Sequence, residues 1–175
     1  MKQAEKRLLF DADAIAARVE QLGAEISAKY PEGDLVLIGV LKGSFMFLAD
    51  LVRRLTIPCQ LDFVRISSYG ADTVSSGKLD ISLDIHLSIK DRHVILVDDI
   101  VDTGLTLSEY RKRLQARAPL SLEVAALIDK TARREKFVEL DYCGFRIEDG
   151  FLVGYGLDCD EFYRHLGGIY VLDPP

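Results

Sequence analysis

Asp98, Asp99 and Asp102 fall within one short stretch, running from His93-Val94-Ile95-Leu96-Val97 into Asp98-Asp99-Ile100-Val101-Asp102 and then Thr103-Gly104-Leu105-Thr106-Leu107. Carboxylates, hydroxyls and a glycine at this spacing suit a ligand that is both anionic and hydroxylated. Thr103, Gly104, Leu105 and Thr106 stand where a helix should begin. The first turn of a helix offers unpaired N–H groups and the positive end of the dipole. With the two threonine hydroxyls they can wrap a phosphate, and Gly104 lets the backbone come close. Acids beside a phosphate repel it unless they meet hydroxyls or a divalent cation. The stretch therefore reads as a site for a phosphorylated, hydroxyl-rich ligand such as a ribose 5-phosphate, with a metal nearby.

Such a site needs a scaffold. Val94 to Val97 is an apolar, β-branched run, as expected of a strand buried on both faces of a parallel sheet. Ligands of open α/β sheets sit at the carboxyl ends of such strands. Leu35-Val36-Leu37-Ile38-Gly39 predicts another buried strand, followed by Lys42 and Gly43 at its carboxyl end. A Lys-Gly pair there supplies charge, N–H donors and close backbone approach to a phosphate. Ile15, Val19, Leu22 and Ile26 recur at helical spacing after Asp11 and Asp13, either of which can cap. Phe45, Leu48, Ala49, Val52 and Leu55 mark a second helix, and residues 105–117 a third. Strands are predicted over 60–66 and 122–128. Residues 67–79, rich in Ser, Gly, Asp and Thr, predict a mobile loop. The alternation of Ile81, Leu83, Ile85 and Leu87 with polar residues predicts its half-exposed return strand. Strand-like pieces at 143–147, 151–155 and 169–172 close the chain. Strands alternating with helices imply an α/β fold with a mostly parallel sheet and helices on both faces.

The 175 residues suit one domain with an adequate core. Hydrophobic residues make up 49% and charged residues 29%, as in ordinary globular proteins. The net charge of −6 argues against nucleic acid or a membrane surface as partner. No apolar run approaches the roughly 20 residues of a membrane span, and Met1 to Arg7 lacks a signal-peptide core. Cys59, Cys143 and Cys159 are odd in number and widely spaced, which suits a reducing cytoplasm and no metal cluster. His86, His93 and His165 lack metal-ligand spacing.

The acidic block is similar to the phosphoribosyl-pyrophosphate signature of type I phosphoribosyltransferases. Leu41-Lys42-Gly43-Ser44, Ser67-Ser68-Tyr69-Gly70, Asp129-Lys130 and Phe151-Leu152-Val153-Gly154-Tyr155-Gly156-Leu157-Asp158 through Arg164 narrow the resemblance to the hypoxanthine-guanine branch. It spans about residue 35 to the C-terminus. The resemblance implies one domain over 1–175, with a core of about 10–145 and a small hood from the N-terminal segment and about 146–175. The late short strands look like that hood, which covers the base. It implies a purine-salvage enzyme that moves 5-phosphoribosyl from phosphoribosyl pyrophosphate to N9 of hypoxanthine or guanine. It further implies Mg²⁺, a homodimer or homotetramer, and a cytoplasmic site of action.

Carried over residue by residue, the resemblance puts Thr103 to Thr106 on the 5-phosphate. Lys42, Gly43 and Arg164 fall on the pyrophosphate, with a non-proline cis peptide before Lys42. Asp98 and Asp99 fall on the ribose hydroxyls, directly or through Mg²⁺. On a strand, adjacent acids face opposite ways; in a turn both reach the sugar. Asp102 matches the general base that accepts the N7 proton as N9 attacks the sugar. Two other roles stay open for it: hydrogen-bonding N7–H to orient the purine, or capping the following helix. Lys130 matches the donor to the 6-oxo group. Phe151 matches the stacking aromatic, Leu152 the backbone carbonyl that reads the purine edge, and Asp158 a base-side group and Mg²⁺ ligand. Ser68 and Tyr69 sit in the loop that would close over the site and exclude water. Arg133 and Arg134 are expected to be solvated.

Three other readings compete. Val94 to Asp99 also resembles the first strand of a receiver domain, but too few residues follow it. An RNA-binding regulator on the same fold would want a basic face. A xanthine-preferring phosphoribosyltransferase would share nearly every motif. No P-loop element appears.

Overall fold

Parallel strands rich in Val, Ile and Leu need helices on both faces, and this chain supplies them. The computed structural model describes residues 5–68 and 79–172. The elements run β1 (Lys6–Phe10), α1 (Ala12–Lys29), β2 (Leu35–Leu41), α2 (Phe45–Val52), β3 (Cys59–Ser68) and β4 (Leu79–Leu83). They continue with β5 (His93–Val101), α3 (Leu105–Gln115), β6 (Ser121–Lys130), β7 (Tyr142–Ile147), β8 (Phe151–Val153) and β9 (Ile169–Leu172). Six strands form the main sheet in the order β4-β3-β2-β5-β6-β7, parallel except for β4. Strands β1, β9 and β8 form a separate antiparallel sheet.

The alternation of side chains along each strand divides the core in two. Leu35, Leu37, Ile95, Val97, Ala125 and Leu127 pack on one face with Ile15, Val19, Leu22 and Ile26 of α1 and Phe47, Leu48 and Leu51 of α2. Val36, Ile38, Val94, Leu96, Val124 and Ala126 pack on the other with Leu107, Tyr110 and Leu114 of α3. Of the two candidate caps for α1, Asp11 does the work: its carboxylate accepts from Ala14 N–H at 2.8 Å.

Several boundaries differ from expectation. β5 runs on through Val101, so the paired acids lie on a strand rather than beyond one. α2 ends at Val52 and α3 at Gln115. The alternating segment is strand only as far as Leu83. Beyond it, Asp62 accepts from the backbone N–H groups of His86 and Leu87 at 2.7 and 2.8 Å. Asp84 meanwhile gathers Tyr110, Arg113 and Arg117. Those side-chain bonds replace a strand ladder. β7, expected to belong with the late hood-like strands, is instead the sixth strand of the main sheet, parallel to β6. β8 stops at Val153, because Gly154 and Tyr155 take positive φ of 97° and 49°. β1 carries too little periodicity to be read from sequence and forms by pairing with β9. Among the described residues, no helix is long and apolar enough to cross a membrane.

Candidate active site

The carboxyl ends of β2, β5 and β6 lie side by side. They bring Lys42–Gly43, Asp98–Thr106 and Asp129–Lys130 to one edge of the sheet. The Leu41–Lys42 peptide is cis. Asp99 packs directly against Gly43: a Cβ on Gly43 would overlap the Asp99 carboxylate. Only glycine allows that approach.

Asp98 and Asp99 stay together although they are strand neighbours. Asp98 Oδ1 accepts from the Asp99 N–H at 3.0 Å. Burial, and then the adjacent Asp99 charge, push the Asp98 carboxyl well up from its ordinary range. Burial pushes Asp99 up as well, opposed in part by Arg164. Two acids held this way favour a cation between them and the ligand. Asp158 is not brought into the same cluster. Its carboxylate accepts from Glu161 N–H at 2.9 Å and pairs with Arg164 at 2.8 Å. Among the described residues, no three His, Cys, Asp or Glu side chains converge as a metal cage.

Past the acids the chain turns into α3. Gly104 is the N-cap residue, with φ of 77°, and a Cβ there would collide with the Lys136 carbonyl. Gly104 thus takes the capping position that sequence had offered to Asp102. Thr103 Oγ1 lies 3.4 Å from the Leu105 N–H, which donates to it.

Asp102 faces cations instead. Its Oδ2 lies 3.6 Å from Lys130 Nζ and 3.4 Å from Arg133 Nη1. Its Oδ1 is buried with no hydrogen-bond partner in the structure. A buried carboxylate oxygen without a donor is costly, so the atom is suited to a donor brought by a ligand. Lys130 is 7% exposed, an unusual depth for a lysine. Phe151, at the start of β8, exposes 54% of its surface, whereas the Leu152 side chain is buried. An exposed aromatic leaves a ring face for a flat ligand.

At the β2 end, Lys42 Nζ pairs with Glu161 at 2.8 Å, and the same carboxylate reaches Arg164 at 3.1 Å. A cleft of about 430 Å³ opens here, lined in part by Lys42, Arg65, Ser67, Glu161 and Arg164. Arg164 also donates to the Gly156 carbonyl at 2.8 Å. Asp160, Glu161 and Tyr163 all have positive φ, which fits strain stored at a functional site. Ser68 ends β3, next to this cleft's Ser67. Tyr69 lies outside the described residues.

Sequence reasoning missed three residues. Glu161 bridges Lys42 and Arg164. Asp149 lies 3.2 Å from Lys130 Nζ. Arg134, expected to be solvated, is mostly buried, with a side chain 18% exposed. It donates to the carbonyls of Val101, Asp102 and Lys130 and to the Asp129 carboxylate at 2.5–3.2 Å. One guanidinium thus fastens the end of β5 to the end of β6. Its place four residues after Lys130, in the turn out of β6, was the only available signal. Arg133, with a side chain 66% exposed, is the solvated member of the pair. Arg134→Ala is expected to lower stability by about 2–3 kcal/mol, because buried acceptors lose their donors. Thermal unfolding measures this. Arg134→Lys should recover little of it, since an ammonium cannot copy the planar fork.

The fold and this edge define a class. The chain belongs to the phosphoribosyl transferase family, whose domain model, "Phosphoribosyl transferase domain", matches residues 8–160. Its relatives narrow the branch. It is 41% identical to the hypoxanthine phosphoribosyltransferase of Haemophilus influenzae, over 97% of this chain and 96% of that one. It is 45% identical to the hypoxanthine-guanine phosphoribosyltransferase of Mycobacterium avium, over 97% of this chain and 86% of that one. Among solved structures, a hypoxanthine phosphoribosyltransferase from Trypanosoma cruzi in complex with the product IMP superposes with a TM-score of 0.90. The identity there is 40%, covering 99% of this chain and 97% of that chain. The particular kinship is therefore with hypoxanthine and hypoxanthine-guanine phosphoribosyltransferases.

Proposed function

We propose that this chain transfers 5-phosphoribosyl from phosphoribosyl pyrophosphate to N9 of hypoxanthine or guanine, yielding IMP or GMP and pyrophosphate. The observation that carries the reading is the pairing of a buried Lys130 with Asp102. A cation and a carboxylate at that spacing match the O6 acceptor and the N7 proton of a 6-oxopurine. The start of α3, from Thr103 to Thr106, receives the 5-phosphate. Asp98 and Asp99 take the ribose hydroxyls. Lys42, Gly43 and Arg164 take the pyrophosphate, which displaces the Glu161 carboxylate from the two cations. Leu152 reads the purine edge through its carbonyl, and Asp158 stands between base and pyrophosphate.

Asp98 and Asp99 are the residues that would hold Mg²⁺ at the sugar, and Asp158, which the structure keeps with Arg164 and Glu161, would hold it only on the pyrophosphate side. When bound, the ion would supply neutralising charge to the pyrophosphate. A sparse set of protein carboxylates suits it, because Mg²⁺ keeps waters and phosphate oxygens as its other ligands. The core of about 10–145 and the hood act as a single domain, in a homodimer or homotetramer, in the cytoplasm. An RNA-binding role finds no support in the acidic balance or in the relatives' names.

A steady-state panel of hypoxanthine, guanine, xanthine and adenine tests the reading and ranks the bases. A cationic donor at C6 rejects adenine, which would present its own donors. Lys130→Ala is expected to cut kcat/KM on hypoxanthine and guanine alike by at least about tenfold and narrow the gap to adenine. Phe151→Ala should weaken all bases with little change in rank. Equal wild-type use of adenine and hypoxanthine would sink both the Lys130 role and the 6-oxopurine assignment.

A further inference from the structure

Asp149 belongs to the connector between β7 and β8, two residues ahead of Phe151. Its carboxylate lies 3.2 Å from Lys130 Nζ, and the Asp102 carboxylate lies 3.6 Å from the same nitrogen. The lysine is buried, whereas the Asp149 side chain is 68% exposed. The Gly150 backbone N–H, with Lys130 beside it, holds the Asp149 carboxyl below its ordinary range. An ammonium carries three N–H donors. Two carboxylates from different elements flank it as charge partners, so donor capacity remains for a ligand.

We propose that Asp149 is a positioning residue that holds Lys130 ready for the exocyclic oxygen of a 6-oxopurine and keeps it from collapsing onto Asp102. The inference rests on the role of Lys130 given above. With Asp102 as sole carboxylate partner, the lysine would close the 3.6 Å gap into a direct ion pair. Its N–H groups would then turn from the base, and Asp102 would lose acceptor capacity for the N7 proton. Asp149 opposes that movement from the loop that leads into Phe151. An exposed carboxylate is weak as a stabilising charge, so its effect is expected in base recognition rather than in folding.

The test compares wild type, Asp149→Ala, Asp149→Asn, Asp149→Glu and Lys130→Ala in steady state, varying hypoxanthine, guanine, adenine and phosphoribosyl pyrophosphate separately. Asp149→Ala is expected to raise KM for hypoxanthine and guanine about fivefold, with KM for phosphoribosyl pyrophosphate unchanged and a narrower gap to adenine. Asp149→Asn should be intermediate, and Asp149→Glu should return within about twofold of wild type, since it restores the charge. If Lys130→Ala weakens the bases but Asp149→Ala leaves their KM unchanged, or raises KM for the sugar substrate equally, the Asp149 role is overturned alone. If Lys130→Ala itself leaves base KM unchanged, the Lys130 reading fails and takes the Asp149 role with it.

Discussion

Asp102→Asn is expected to lower kcat by about 10²–10⁴-fold, the range associated with loss of a positioned general base. KM for phosphoribosyl pyrophosphate should change far less, because the role proposed for Asp102 is at the base rather than the phosphates. Asparagine keeps the size and can still accept one hydrogen bond, so packing is preserved while proton acceptance is lost. The geometry sharpens the result. Gly104, not Asp102, caps α3, so a fall in kcat cannot be assigned to a lost cap. The Asp102 Oδ1 atom is buried without a donor, which is the condition expected of an oxygen awaiting N7–H. Single-turnover measurements with saturating substrates separate chemistry from product release. An asparagine variant with near-normal turnover would leave Asp102 only the task of orienting the purine.

Removal of divalent cations should abolish turnover, and Mg²⁺ or Mn²⁺ should restore it. The expected pH dependence follows from Asp98 and Asp99. Both carboxyls are pushed up by burial, and a metal binds the deprotonated form. Protons therefore compete more effectively than at an ordinary carboxylate, and the Mg²⁺ concentration for half-maximal rate should rise as the pH falls, from a higher pH than an ordinary carboxylate would give. The same shift has a stability consequence in the metal-free protein. A raised carboxyl pKa means that the native state binds the proton more tightly than the unfolded chain. Stability should thus fall as pH rises from the ordinary carboxylate range through the raised values. Titrations of rate against Mg²⁺ at several pH values, and thermal unfolding over the same range, measure the two effects. Asp158→Ala should also raise the metal requirement; an unchanged requirement would leave Asp158 only its contacts with Arg164 and Glu161. A rate indifferent to chelation would remove the metal from the proposed mechanism.

Much of the site was legible because its chemistry is consecutive in the chain. The run from Val94 to Thr106 places strand, acids, glycine and helix start within a few residues, and local pattern is enough to read it. Lys42–Gly43 and Lys130 were legible for a related reason: each follows a buried strand at its carboxyl end. Arg134 was not. Nothing about an arginine in a turn reveals that its guanidinium will meet three carbonyls from two strands. Asp149 and Glu161 were missed likewise, because their partners are 19 and 119 residues away in sequence. β7 looked like a hood strand since its length and composition do not say which sheet will pair with it. Its six residues carry a mixed burial pattern, and only the register with β6 decides the matter.

The sheet made of β1, β9 and β8 has a consequence for synthesis. Its strands come from opposite ends of the described chain, with Lys6 opposite Leu172 and Phe151 opposite Leu172 on the other side. Strands β2, β5 and β6 and the start of α3 are complete once residue 130 has left the ribosome. The strand bearing Phe151 and Leu152 cannot find its partner until residues 169–172 follow. On a ribosome the turn into α3 and the Asp102–Lys130 pair are therefore assembled first, while the strand bearing Phe151 waits for residues 169–172. A nascent chain arrested between those points should carry a formed turn into α3 and a base pocket lacking Phe151 and Leu152.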